Sequence, residues 1–122
     1  MSIVRVSPQE AADRLAAGWT YVDVRPEDEF ADGHAPAALN VPYSRDELRF
    51  VADVRAAAGE RARIIVGCKS GIVSIHAAEM LERAGFDVVE QRAGFDGARG
   101  AFGELKEPGW ARLGLPVVRE DT

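Results

Sequence analysis

Short β-branched runs alternate along this chain with segments whose apolar positions recur every three to four residues, the pattern of strands joined by amphipathic helices. The first extended run is Ile3-Val4-Arg5-Val6. Ser7-Pro8-Gln9-Glu10 follows as a capping box with proline at the first helical position. Ala11, Ala12, Leu15 and Ala16 form that helix's apolar stripe, and Gly18 ends it. Tyr21-Val22-Asp23-Val24 reads as a second strand, residues 26–30 as a short helix, and residues 38–41 as a short extended piece. Ser44 with Glu47 repeats the capping-box signal, Phe50, Val51, Val54, Ala57 and Ala58 line one face of the next helix, and Gly59 stops it. Arg63-Ile64-Ile65-Val66-Gly67 is the most apolar run of all, which places it near the middle of a sheet. The helical period returns over residues 74–84, with Ala77, Met80, Leu81 and Ala84 inward and His76, Glu79 and Glu82 outward. Gly85 is its stop, and Asp87-Val88-Val89-Glu90 reads as a last strand. Beyond Gln91 the period fades. Gly94, Gly97, Gly100 and Gly103 punctuate a loop-rich stretch expected to cover one edge of the sheet, and Trp110 to Pro116 reads as one helical turn.

This alternation predicts an α/β fold, an open parallel sheet with helices on both faces, in a single domain over residues 1–122. A chain that is 47% hydrophobic and 29% charged has the balance for an ordinary core. Its net charge of -5, dispersed along the length, argues against nucleic acid or an anionic membrane as partner. No apolar stretch approaches the length of a membrane span, and the first five residues open directly into a strand pattern, so no signal peptide is expected. The one cysteine, Cys68, excludes an internal disulfide and a CxxC pair, and a reducing, cytoplasmic setting fits it. Cys68, His34 and His76 show no metal-ligand spacing, so no metal is expected.

Cys68 itself changes the picture. It stands between the most apolar strand and a helix, in Gly67-Cys68-Lys69-Ser70-Gly71-Ile72-Val73-Ser74. In an open parallel sheet, ligands bind at the carboxyl ends of the strands. A tight loop entering a helix turns several backbone N–H groups into its concavity, which makes an anion site without side chains. Gly71 supplies the positive φ such a curl needs. A sulfur anion at Cys68 would be held by those N–H groups, by the helix N-terminus and by nearby Lys69, the environment that thiol nucleophiles use. The plain alternative is a buried cysteine acting as a small hydrophobe.

The residues resemble the rhodanese-like family. Asp23-Val24-Arg25, Glu29-Phe30, Gly33-His34, Ala37, Asn40, Val41 and Pro42 are similar to its first block. Cys68-Lys69-Ser70-Gly71 with Ser74 resembles its CxxGxRS active-site loop, Ala93-Gly94-Phe95 its late Gly-Gly motif, and Gly114-Leu115-Pro116-Val117 its C-terminal signature. The resemblance implies a five-stranded parallel sheet and transfer of sulfane sulfur through a persulfide on Cys68, with no cofactor. A small donor such as thiosulfate or 3-mercaptopyruvate would load the sulfur, and a thiol, cyanide or a protein acceptor would remove it. Lys69, Ser70, Gly71, Ile72, Val73 and Ser74 would form the substrate-binding loop; Asp23, Arg25 and His34 would be structural. The chain departs from the pattern where Val73 replaces the loop arginine, the natural anchor for thiosulfate, and a lysine at position 69 does not copy the planar guanidinium fork. Ala93 replaces the first glycine of the Gly-Gly pair, Ala98 stands at a tryptophan position, and residues 99–109 resemble an insertion.

His76, on the polar face of its helix, reads as a solvated histidine, and Ser70 and Ser74 as hydrogen-bonding and capping residues. A Cys-x5-Arg phosphatase is a weak rival, because Ser74 holds the sixth position after Cys68. The rival from another class is a rhodanese-like carrier, sensing or interaction module with little small-donor turnover, motivated by Val73.

Overall fold

Each of the first four strands leads into a segment that carries the chain back to begin the next strand in the same direction. The computed structural model describes residues 3–120. Strands β1 (Val4–Val6), β2 (Thr20–Asp23), β3 (Leu39–Asn40), β4 (Arg63–Gly67) and β5 (Asp87–Gln91) pair in parallel in the order β1-β5-β4-β2-β3. Helices α1 (Pro8–Ala16), α2 (Glu27–Asp32), α3 (Glu47–Ala58) and α4 (Val73–Arg83) lie between them. The expected five-stranded α/β architecture is therefore present, with β4 at its centre.

Strand periodicity sorts the core into two layers. Val22, Ile64, Val66 and Val88 face Phe50 and Val54 of α3 and Ala77 and Leu81 of α4. Val6, Tyr21, Ile65 and Val89 face Ala11 of α1 and Trp110 on the opposite side. Ile64, Ile65 and Val66 are all fully buried, so β4 has no solvated face, as a central parallel strand requires. Two such helical layers hold the carboxyl end of β4 at a fixed place. No helix among the described residues is long and apolar enough to cross a membrane.

The local signals worked where a single short acceptor stood alone. Ser7 Oγ accepts from Glu10 N (3.1 Å) and Glu10 Oε1 accepts from Ser7 N (2.9 Å), the predicted capping box. At α3 the expected box from Ser44 to Glu47 does not form. Asp46 caps the helix instead, accepting from Arg49 N at 3.2 Å, while Ser44 Oγ accepts from Asp46 N at 3.1 Å. A carboxylate at the helix N-terminus gains from the dipole as well as the hydrogen bond, and so outcompetes the hydroxyl two residues earlier. Glu47 then reaches Arg83 of α4, with Nη2–Oε1 2.7 Å.

Residues 87–90 are not the last strand. A two-stranded antiparallel sheet, β6 (Gly97–Arg99) with β7 (Leu105–Pro108), follows in the stretch read as loop. Asp96 N and Gly97 N donate to Lys69 O at 2.9 and 3.4 Å, which fastens it to the loop after β4. A paired salt bridge from Arg92 Nε to Glu107 Oε1 (2.9 Å) ties its far strand to the end of β5. Three and four residues rich in glycine and charge carry no alternation that a sequence pattern could register.

Candidate active site

Cys68 follows β4 directly and is only 6% exposed. The chain then curls through Gly71, whose φ is +83°, and enters α4 at Val73. A Cβ at Gly71 would run into the carbonyl oxygen of Arg92, and one at Gly94, where φ is +70°, into the carbonyl of Lys69. The two glycines thus let loop and neighbouring backbone meet without a gap. Residue Ile72, at the N-cap of α4, offers no side-chain acceptor. The sulfur fills that role. Gly71 N donates to Sγ at 3.2 Å and Ser74 N at 3.4 Å, and the thiol donates to Ser74 Oγ at 3.3 Å. α4 has no acidic side chain in its first turn, so the positive end of its dipole acts on the sulfur without a competing carboxylate on the helix itself. The arrangement can hold negative charge on sulfur.

A cavity of about 520 Å³ opens over Cys68, lined mainly by Val24, Pro26, Pro42, Tyr43, Ile72 and Val73. Its polar lining comes from Arg25, Glu29, Lys69 and Ser70. Ile72 and Val73 are 69% and 37% exposed, so an apolar rim stands where the resemblance placed a guanidinium. Lys69 is exposed at that rim. Ser70 lines the wall, whereas the partners of Sγ are Gly71 and Ser74.

The strands on either side of β4 each bring a buried carboxylate to this level. On β2, Asp23 binds Arg25 through Oδ1–Nε (3.0 Å) and Oδ2–Nη2 (2.7 Å) and also accepts from Arg25 N. Arg25 donates further to Gly33 O at 2.7 Å and lies 4.3 Å from the Phe95 ring centre. On β5, Glu90 is fully buried; its Oε1 accepts from Arg5 Nε at 2.6 Å and its Oε2 accepts from the Ser74 hydroxyl. Arg5 Nη2 reaches Gly71 O at 3.1 Å. The hydrogen bond from Glu90, with its charge, holds the Arg5 guanidinium more firmly protonated than usual, against a smaller opposing effect of burial. Next along β5, Gln91 accepts from Ala93 N and Gly94 N, both at 2.9 Å, and donates to Gly94 O at 2.8 Å and to the Tyr21 hydroxyl at 3.4 Å.

The sequence pattern marks two of these residues, Glu90 and Arg5, only as strand positions. The available signal was a carboxylate inside an otherwise apolar strand. His34 stands away from the sulfur, with Nδ1 2.7 Å from Phe30 O and its ring stacked on Phe30 at 3.7 Å. His76 lies on the exposed side of α4, 3.5 Å from Glu79. Among the described residues no three His, Cys, Asp or Glu side chains gather to hold a metal ion.

Comparison with known proteins adds to this geometry. A protein-family model described as Rhodanese-like domain matches residues 7–100. The chain is 39% identical over 119 residues to "Thiosulfate sulfurtransferase 16, chloroplastic" of Arabidopsis thaliana, covering 92% of this chain and 90% of that one. It is 29% identical over 118 residues to "Thiosulfate sulfurtransferase GlpE" of Haemophilus influenzae (strain PittEE), covering 96% of each. Among solved structures, the crystal structure of Rv0390 from M. tuberculosis superposes with a TM-score of 0.79 at 27% identity, over 98% of this chain and 99% of that chain.

Proposed function

This chain belongs to the rhodanese-like domain family, and we propose that it is a sulfurtransferase carrying sulfane sulfur as a persulfide on Cys68. The observation that carries the reading is the cradle: two backbone N–H groups directed at Sγ, at the foot of an open cavity and at the end of the central strand. Names of relatives with thiosulfate sulfurtransferase in them support the same chemistry.

In the loading step the Cys68 thiolate attacks the outer sulfur of the donor. A new S–S bond forms on Sγ, and the donor's bond to that sulfur breaks with its electron pair leaving on the donor, as sulfite from thiosulfate or pyruvate enolate from 3-mercaptopyruvate. In the unloading step a thiolate or cyanide attacks the terminal sulfur, and the pair of the S–S bond returns to Sγ. No net oxidation occurs and one thiol suffices. Lys69 and Ser70 face the donor from the wall, with Ile72, Val73 and Tyr43 offering apolar contact. That lining favours a donor with an organic body over an inorganic dianion, since Arg25 is already paired with Asp23 and Lys69 does not copy a guanidinium fork. A reducing compartment such as the cytoplasm keeps the thiol available.

The same apolar rim favours, as a second reading, a carrier or sensing module loaded by a protein. Intact-protein mass spectrometry after incubation with thiosulfate, and separately with 3-mercaptopyruvate, tests both. The expected result is a gain of one sulfur that cyanide removes and that Cys68→Ser abolishes without loss of fold. Loading that survives Cys68→Ser would sink the mechanism. No loading with either donor transfers the case to the carrier module.

A further inference from the structure

We propose that Glu90 is a positioning residue for the cysteine nucleophile, taking up the Cys68 proton through the Ser74 hydroxyl while Arg5 holds the carboxylate in place. The inference rests on Cys68 being the nucleophile of the site. The starting point is a buried carboxylate whose Oε1 accepts from Arg5 Nε and whose Oε2 accepts from the Ser74 hydroxyl and, at 3.5 Å, from Arg5 Nη2; the Ser74 oxygen in turn faces the thiol. Cys68, Ser74 and Glu90 are 6%, 0% and 0% exposed. Water therefore has little access to the thiol proton from this side, and the three groups form a continuous path away from the cavity.

The direction of each bond follows from Arg5. A guanidinium at 2.6 Å keeps Glu90 an acceptor. Ser74 must then give its proton to Glu90 and turn a lone pair toward Sγ, which leaves the thiol as donor. Moving one proton along the path reverses both bonds. The S–H bond breaks and its electron pair stays on Sγ; a new O–H bond forms at Ser74; the former hydroxyl proton goes to Glu90 Oε2. Atoms and charge balance, and no oxidant or reductant is involved. After the shift the Ser74 hydroxyl donates to the sulfur, joining Gly71 N and Ser74 N, so the anion has three donors.

Three segments around Glu90 supply the groups of this path. β1 contributes Arg5, α4 contributes Ser74, and the loop after β4 contributes Cys68. The next charges out, Arg92 and Glu107, are paired with each other at 2.9 Å, and Glu10 lies 3.9 Å from Arg92. Cys68 and Glu90 are thus the pair that shares a proton across Ser74.

Two coupled sites lose their protons in two macroscopic steps, separated visibly once the coupling exceeds about one pH unit. Between the steps a fraction of molecules carries thiolate with neutral Glu90, and that fraction does not change with pH. The test is the rate of Cys68 alkylation by iodoacetamide between mildly acidic and alkaline pH, followed by intact mass. Native protein is expected to give two rises separated by a flat shelf, read on a logarithmic rate scale. Glu90→Gln keeps the shape of the side chain but cannot take a proton, and is expected to give one rise with no shelf. Glu90→Asp, which still titrates, is expected to restore the shelf. A single rise in the native protein overturns the proposal without any variant, and so does a shelf that persists in Glu90→Gln. Because alkylation needs no sulfur donor, failure of the relay is read separately from failure of sulfur transfer.

Discussion

Asp23 and Glu90 stand at the carboxyl ends of the two strands that flank β4, and each is paired with an arginine, yet the two pairs are built differently. Asp23 is closed. Both its oxygens go to Arg25, whose side chain is only 6% exposed and whose Nη2 also donates to Gly33 O. Glu90 is half open: Oε1 holds Arg5, a side chain 45% exposed, and Oε2, with only a long 3.5 Å contact to the same guanidinium, faces Ser74 and hence the sulfur. A carboxylate whose hydrogen-bonding capacity is consumed by its partner can only fasten parts together. One that keeps an oxygen free for a hydroxyl next to a thiol is available for chemistry.

The largest effect expected from breaking this contrast is on the closed side. Asp23→Asn leaves Arg25 buried and uncompensated and is expected to cost about 3–5 kcal/mol. In thermal unfolding that corresponds to a loss on the order of 10–20 °C for a domain of this size. Glu90→Gln is expected to cost only about 1–2 kcal/mol, because half-exposed Arg5 can turn to water. Equal losses from the two amide variants would show that the pairs serve alike, and that the distinction drawn from exposure is wrong.

The smallest effect concerns a buried polar pair with no charge at all, Tyr21 and Gln91. Burial raises the Tyr21 phenol above its ordinary value of 10.0. Its neutral form therefore belongs to the folded state. The stability this contributes is complete below pH 10.0 and is lost as pH climbs beyond it. Tyr21→Phe is expected to change stability at neutral pH by less than about 1 kcal/mol. Above pH 10.0 the variant should lose stability less steeply than the parent in urea unfolding. Parallel curves would mean that Tyr21 does not titrate on unfolding.

What the sequence displayed and what it concealed divide by distance along the chain. The Ser7–Glu10 box, the apolar β4 run and the glycine at position 71 are signals within a few residues, and each appeared where the pattern put it. The Asp46 cap was misplaced by two residues because two adjacent acceptors competed for one helix end. Cys68, Ser74 and the loop between them could be read as a unit because they sit within one strand–loop–helix segment. Arg5 and Glu90 are 85 residues apart. Their meeting depends on β1 lying beside β5, which neither segment encodes alone. Val73 was legible as a departure, but the apolar rim it completes with Ile72, Pro26 and Tyr43 draws on three separate stretches of chain.

The strand order carries a further consequence for timing. In a chain emerging from the ribosome, β1 precedes the other described strands, and the strand it pairs with, β5, comes last in the parallel sheet. The helices and strands between them can begin to pack while Arg5 still waits for Glu90. The long-range pairing that closes the sheet is the slow kind of contact. Synthesis therefore delivers the thiol early and its wiring late: Cys68 becomes fully equipped only when the last strand of the parallel sheet has clicked into the gap beside the first.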